Sequence, residues 1–335
     1  MADINVFMVG GRRTGKTSIL AAMDGCCDDV LSKVDGLQIT ASPDAGIELS
    51  HKLAELKRYF TAEEYLKQFS FSPDVNPNSG GVAEFLYDID INDRDTGYTM
   101  RFLDRRGEDF KDFSIEADVQ KMVNESQVIM ITIDTPSLVE QPEKATGIGI
   151  NHKRINLCNE ITRFLKTAFQ NCSEEKLVLF VPLKCEKYYY NGTLKKVNDC
   201  VKKGYAELYD FLIKSDVKDL CTVAIVPILT VGGLQFLKFD DNSYVGQYYY
   251  VENHKEYKPK YCETPLFLTL LYLIHMAERN KNEMWKITRW FEETFKNKAK
   301  LKDLISCKSI LENVININEE SGFEMLNDAI GMFTK

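Results

Sequence analysis

The chain has 335 residues, 44% apolar and 27% charged, a balance that excludes disorder and collagen-like structure and suits about two domains, or one with large insertions. Its formal charge of -8 argues against a nucleic-acid partner, whose phosphates need an excess of Lys and Arg that the chain lacks overall. Nine cysteines, an odd number with no C-x-x-C pair, and four histidines point to a reduced, cytoplasmic protein without structural zinc.

The first predicted element is a strand, Ile4 to Val9, preceded by Asp3 and by no basic flank of the secretory kind. A glycine-rich turn, Gly10 to Gly15, leads into a helix from Lys16 to about Met23. Leu49, Leu53, Leu56 and Phe60 share one face of an amphipathic helix over Ile47 to Phe60. Val82 to Ile91 and Thr99 to Asp104 read as a hairpin joined by the polar loop Asn92 to Gly97. Val128 to Asp134, Leu177 to Leu183 and Val223 to Leu229 are apolar, β-branched runs of the sort buried on both faces of a parallel sheet. Helical stretches, Arg154 to Phe169 and Val197 to Ile213, separate them. The tyrosine-rich stretch Ser243 to Tyr261 reads as an inserted loop or hairpin, and Pro265 to Ala277 as a buried helix too short to span a bilayer. Glu283 to Lys335 reads as helices around Trp285, Trp290, Phe291, Phe295, Leu301 and Leu304. This rhythm predicts a three-layer α/β/α domain.

One motif dominates the chemistry. Gly10-Gly11-Arg12-Arg13-Thr14-Gly15-Lys16-Thr17 fits G-x-x-x-x-G-K-[ST], with a strand before it and a helix running on through Ser18. Glycines let backbone N–H groups curl around phosphate oxygens, and the helix start adds the positive end of its dipole. Lys16 would reach the outer phosphates and Thr17 would ligate Mg²⁺.

Two further segments narrow the ligand. Asp104-Arg105-Arg106-Gly107 closes the strand Met100 to Leu103 as a D-x-x-G, in which the Asp holds Mg²⁺ through water and the Gly N–H meets a γ-phosphate. Leu183-Lys184-Cys185-Glu186 places a lysine and a carboxylate at the spacing of the guanine motif [NT]-K-x-D, after a later strand. The carboxylate would accept from the N1 and N2 groups of the ring, and the Lys184 stem would lie along it. The following strand leads to Thr230-Val231-Gly232, where a backbone N–H would meet guanine O6. The alternative is a loop Lys and Glu with no ligand.

In this order of motifs, over roughly residues 4 to 235, the sequence resembles the Ras-like, translation-factor-related class of P-loop GTPases. Within that class it is similar to bacterial GTPases of the double-GTPase type, often encoded beside conflict or defence genes. That likeness rests on the D-x-x-G-E form at Asp104 to Glu108, the I-D-x-x-x-L pattern from Ile133 to Leu138 and the K-x-E form at Lys184 to Glu186. The resemblance implies a three-layer P-loop NTPase fold with a small-GTPase-like mixed sheet, Mg²⁺ and GTP or GDP as ligands, and a switch that hydrolyses GTP. The expected division is a GTPase domain over 1–280, with insertions at about 21–81 and 234–262, and a helical extension over 281–335.

Departures from the class pattern bear on mechanism. Glu108 stands where many GTPases place the Gln that orients the attacking water, and its charge would repel a γ-phosphate unless neutralised or turned away. Arg12 and Arg13 stand where small residues or an Asn are usual, and Arg13 would supply positive charge in cis as an arginine finger does, or else project to solvent. Lys16, Arg13, Gly107 and Glu108 are thus the candidate catalytic residues. Thr17, Asp104 and Ser79, the last just ahead of the strand at Val82, are the candidate Mg²⁺ ligands, with Thr40 and Thr61 as runners-up to Ser79. Asp134 reads as a cap of the next turn.

Three functions compete. The first is a GTP-hydrolysing switch. The second is a nucleotide-loaded scaffold with little hydrolysis, kept alive by Glu108. The third is an ATP-using P-loop enzyme, opposed by the lack of a second acid beside Asp104. A protein effector or activator would meet the switch loops, the tyrosine-rich insertion or the C-terminal helices, and no membrane partner is expected.

Overall fold

The computed structural model describes residues 2–31, 37–61, 69–70, 82–91, 94–140, 151–170, 172–239, 246–252, 254–282, 302, 305–315, 317 and 319–333. Its strands are β1 (Ala2–Val9), β2 (Leu37–Ala41), β3 (Phe69–Ser70), β4 (Val82–Ile91), β5 (Arg94–Arg105), β6 (Val128–Asp134), β7 (Lys176–Leu183), β8 (Cys221–Ile225), β9 (Leu234–Phe239), β10 (Gly246–Tyr250) and β11 (Glu324–Asn327). Its helices are α1 (Lys16–Leu31), α2 (Pro43–Arg58), α3 (Glu116–Glu125), α4 (Thr135–Val139), α5 (Cys158–Gln170), α6 (Glu186–Tyr190), α7 (Leu194–Gly204), α8 (Ala206–Lys214), α9 (Thr264–Asn282) and α10 (Lys308–Val314).

Eight strands form one mixed sheet in the order β11-β8-β7-β6-β1-β5-β4-β2. The central five, β8, β7, β6, β1 and β5, run parallel, and β11, β4 and β2 pair antiparallel at the flanks. Strands β6 and β7 are buried at every residue, which explains their unbroken apolar sequence. Alternate side chains of the sheet feed two cores. Val6, Met8, Met130, Leu179 and Val181 pack with Ile19, Leu20 and Met23 of α1 and with Leu266, Leu270 and Leu273 of α9. Phe7, Val9, Ile129, Ile131, Val178 and Phe180 pack with Val119 of α3, Ile161 and Leu165 of α5 and Leu208 of α8. The fold is a three-layer α/β/α P-loop domain.

Several boundaries differ from expectation for local reasons. Strand β5 begins at Arg94 because its antiparallel register with β4 continues to Ile91↔Arg94, so the polar loop is shorter than its composition suggests. Strand β8 ends at Ile225, although Val226 and Ile228 still donate backbone hydrogen bonds to Phe180 and Pro182 of β7. The stretch 154–169 is a π-type turn, His152–Asn156, then Leu157 in the left-handed region at φ 49°, then α5. Tyr205 divides 197–213 into α7 and α8. Strand β2, unforeseen, precedes α2 and pairs with β4.

The C-terminal segment, expected to be helical, returns to the sheet: after α10, β11 pairs with β8. Asn198 and Lys202 of α7 hold its Glu324 at 3.1 and 2.5 Å. The helices expected around Trp285 to Phe295, and Leu301 and Leu304, lie outside the described residues. Helix α9 is the buried apolar helix foreseen, and no helix among the described residues is long and apolar enough to cross a membrane. None of the nine cysteines is disulfide-bonded.

Because Ile131 is fully buried at the centre of β6, Ile131→Ala should destabilise the fold by about 2–5 kcal/mol. Urea unfolding checks this, and a loss under about 1 kcal/mol would contradict the close packing of that layer.

Candidate functional site

Strand β1 delivers the chain to Gly10 at the carboxyl edge of the sheet, and α1 begins at Lys16. Between them the loop turns tightly, with Arg13 at φ 67° and Gly15 at φ 110°. Thr14 faces inward, its hydroxyl 3.1 Å from Gly11 O and 3.0 Å from the Thr132 hydroxyl. Lys16 is buried and folds back over its own loop, donating to Gly10 O at 3.2 Å and Gly11 O at 3.4 Å. This posture satisfies the ammonium with the loop's own carbonyls.

The parallel register of β1 with β5 brings Asp104 beside this loop. Its Oδ2 accepts from Thr17 Oγ1 at 3.4 Å, and its Oδ1 lies 3.6 Å from Lys16 Nζ. Burial raises the Asp104 pKa, while the Lys16 ammonium and the Thr17 hydroxyl pull it down. Oδ1 is buried and takes no hydrogen bond among the described residues. Among those residues no group of three or more His, Cys, Asp or Glu gathers as a metal site. A Mg²⁺ ion needs no such cage, since one or two protein oxygens with phosphate oxygens and water suffice. Thr17 and Asp104 fit that requirement.

Gly107 lies directly on the phosphate loop. A Cβ there would come within 2.2 Å of Arg12 N and 2.3 Å of Gly11 C, and a Cβ on Gly11 within 1.7 Å of Ile155 O. Only glycine permits three backbones to meet so closely. Glu108, beside Gly107, pairs with Arg12 at 2.7 Å, both side chains being about half exposed. Arg12 is therefore engaged by the neighbouring loop. Arg13 is exposed, and Ser18 is half-buried in the first turn of α1.

The base-side residues come from β7 and the segment after β8. Lys184 adopts the left-handed region at φ 61°. Its ammonium donates to Arg13 O at 3.2 Å and to Asp134 Oδ1 at 2.5 Å. Burial works to lower the Lys184 pKa, but Asp134, by its charge and its hydrogen bond, together with Tyr248 and Glu186 outweighs it, and the net shift is upward. Glu186 is buried, and its Oε1 accepts from the backbone N–H groups of both Val231 and Gly232, at 2.9 and 3.1 Å. Glu186, one methylene longer than an Asp, thus reaches the loop after β8 and holds both of these N–H groups. Burial raises the Glu186 pKa, and these donors lower it in part. The Thr230 hydroxyl is buried with no hydrogen-bond partner among the described residues.

Tyr190 and Lys187 escaped the sequence reading. Tyr190 donates to Gly232 O at 2.9 Å and stacks on His254, ring centroids 4.8 Å apart. The tyrosine-rich insertion is a hairpin, β9–β10, whose Tyr248 is buried against Phe236. Lys187 of α6 lies 5.5 Å over the Phe236 ring, so the hairpin packs beside the base-side loops. Ser79 lies outside the described residues. Neither runner-up joins the cluster: Thr40 sits on the edge strand β2, and Thr61 donates to Arg58 O at the end of α2.

Behind the site, Asn156 Nδ2 donates to Nδ1 of buried His152 at 2.9 Å, and His152 Nε2–H donates to Gly204 O at 3.3 Å. Burial lowers the His152 pKa to about 4, so the ring is neutral at pH 7.

The chain matches no protein-family model and no curated protein. Among solved structures it is similar to the S. cerevisiae Ski7 GTPase-like domain bound to GDP and inorganic phosphate, at 16% identity and TM-score 0.37, covering 86% of this chain and 51% of that one. It is also similar to the same domain bound to GTP, at 13% identity and TM-score 0.34, covering 68% and 43%. The chain thus spans about half the length of the structures it matches.

Gly107→Ala should force the two loops apart and lower stability by about 1–3 kcal/mol. Thermal unfolding checks it, and an unchanged midpoint would mean that the contact yields freely. His152 generates a pH dependence. Its folded pKa of about 4 lies below the unfolded 6.5, so the unfolded chain binds the extra proton and stability falls as pH drops from about 6.5 towards 4, by up to about 3 kcal/mol. His152→Gln should flatten the curve in that window. Parallel stability curves for the two proteins would refute the assignment.

Proposed function

We propose that the chain binds GTP with Mg²⁺, hydrolyses it to GDP and acts as a molecular switch. The observation that carries this reading is the meeting of Lys16 and Thr17 with Asp104 at the end of β5, whose Oδ1 faces the Lys16 ammonium and takes no hydrogen bond among the described residues. In this reading the loop from Gly10 to Ser18 cradles the phosphates, and Lys16 swings from its own carbonyls to the outer phosphate oxygens. Thr17 and Asp104 hold Mg²⁺, which when bound neutralises charge on the β- and γ-phosphates. The Gly107 N–H meets the γ-phosphate, so loss of that phosphate would release the loop it begins. Arg13, exposed in the same loop, is the candidate for charge stabilisation during transfer.

Guanine would be favoured over adenine by the carboxylate of Glu186, whose second oxygen would face the donors of the guanine edge while Oε1 holds the Val231 and Gly232 N–H groups, with the Lys184 stem and the segment Thr230, Val231 and Gly232 completing the base site. An ATP-using enzyme is disfavoured by Arg105, which stands where a second acid would follow Asp104. A second reading, a nucleotide-loaded scaffold with little hydrolysis, is supported by the Arg12–Glu108 pair, which holds the residue at the water-orienting position on a P-loop side chain. An effector or activator would read the Gly107 loop, the β9–β10 hairpin or the C-terminal segment. A place in bacterial conflict or defence signalling is supported by the sequence resemblance.

Lys16→Ala should reduce binding of a fluorescent GTP analogue at least tenfold, and GTP should displace that analogue from the parent protein better than ATP. Equal affinity in the variant would sink the phosphate site. Preference for ATP would sink the guanine reading, and release of Pᵢ in single-turnover assays separates the switch from the scaffold.

A further inference from the structure

We propose that Thr14 is a positioning residue of the phosphate loop: held by Thr132, its hydroxyl stays on Gly11 O when Lys16 leaves that oxygen for a phosphate. The proposal rests on the phosphate-binding reading above and concerns two hydroxyls to which that reading gives no task. Two donors meet at Gly11 O, with Thr14 Oγ1 at 3.1 Å and Lys16 Nζ at 3.4 Å, and a carbonyl oxygen has a lone pair for each. Gly11 is buried, so its oxygen has no ready access to water, and a buried acceptor without a donor is costly. The ammonium is the donor that departs, since in the loaded site it serves the outer phosphate oxygens. Thr14 remains. Its side chain is fully buried and turned toward β6, where the Thr132 hydroxyl lies 3.0 Å from its own.

Counting protons sets the direction of these bonds. Each hydroxyl has one proton to give and two lone pairs to receive with. With the Thr14 proton on Gly11 O, the Thr132 proton has two acceptors in reach, Thr14 Oγ1 at 3.0 Å and Val9 O at 3.3 Å. The shorter contact assigns it to Thr14, so Thr132 donates to Thr14 and Thr14 donates to Gly11 O. Thr132 is a firm anchor, being fully buried in a strand that is buried at every residue. The loop's first residue is seated against it: a Cβ on Gly10 would come within 2.1 Å of Thr132 Oγ1. Only glycine fits there.

The bond from Thr14 to Gly11 O closes the turn that carries Arg12 and Arg13 at its tip, with Arg13 in a left-handed conformation that is unfavourable for a residue other than glycine. It also fixes the Gly11–Arg12 peptide on which Gly107 packs. Because Gly11 O keeps a donor after the lysine goes, the turn holds one shape in the empty and the loaded loop, and Lys16 moves to phosphate without stranding that carbonyl.

Thr14→Val keeps the branched shape and removes the hydroxyl, whereas Thr14→Ser keeps the hydroxyl. In calorimetric titration with GDP, Thr14→Val and Thr132→Val should each weaken binding about tenfold, Thr14→Ser should stay within about threefold of the parent, and the double valine variant should lose no more than Thr14→Val alone, because both changes remove one chain of bonds. In the nucleotide-free protein either donor suffices at Gly11 O, so Thr14→Val combined with Lys16→Met should lower stability to urea by more than the sum of the two single losses. Parent-like GDP affinity in Thr14→Val, no rescue by Thr14→Ser, or additive losses in urea would overturn the proposal. Failure of the parent itself to bind GDP would sink the nucleotide reading instead, and the urea cycle would still decide whether Thr14 and Lys16 share Gly11 O: additivity rejects it.

Discussion

The parallel run of β5, β1, β6, β7 and β8 is the constraint on which the site depends. Parallel neighbours end on the same side of a sheet, so the residues that follow each strand share one edge although they are far apart in sequence. Gly10 after β1, Asp104 near the end of β5, Asp134 ending β6, Lys184 after β7 and Val231 beyond β8 all meet there. Alternation of side chains along these strands divides the remaining residues between two cores, and the helices that cover them leave the carboxyl edge for loops.

Burying ionic groups at that edge is costly unless each finds a partner, and the pairing pattern shows which loops act on which. Lys16 sits between its own carbonyls and Asp104, on the phosphate side. Lys184 sits between Arg13 O and Asp134, bridging the phosphate and base sides. Glu186 takes two backbone donors and so shapes the loop after β8. The exposed Arg12–Glu108 pair belongs to a different class: screened by solvent, it is worth at most about 1 kcal/mol.

Flanking elements protect this arrangement. Strands β2 and β11 extend the sheet at its two ends, and β11 is tied to α7 through Glu324. The β9–β10 hairpin packs against α6, with Lys187 over the Phe236 ring, and against the end of α2, where Tyr250 donates to Tyr59 O. Tyr190 ties this region to Gly232, so the insertion that looks peripheral in the sequence adjoins the loop proposed to meet a base.

Local chemistry alone determined much of this. The phosphate loop, the D-x-x-G after an apolar strand and the buried runs of β6 and β7 are readable because glycine, β-branched residues and a lysine after a tight turn have narrow conformational uses. The amphipathic face of α2 and the burial of α9 were legible from spacing and apolarity for the same reason. Long-range pairing decided the rest. Strand β2, the return of β11 to β8 and the division of α7 from α8 depend on partners more than ten residues away, for which no local pattern exists. Glu186 shows the limit most clearly: its spacing identified a carboxylate at the base-side loop, but only the folded approach of residues 230–232 decided that one of its oxygens turns to their backbone. Asp134 read correctly as a cap, and its second oxygen met Lys184 because β6 and β7 pair in the register Asp134↔Leu183, a fact set by the sheet and not by either segment.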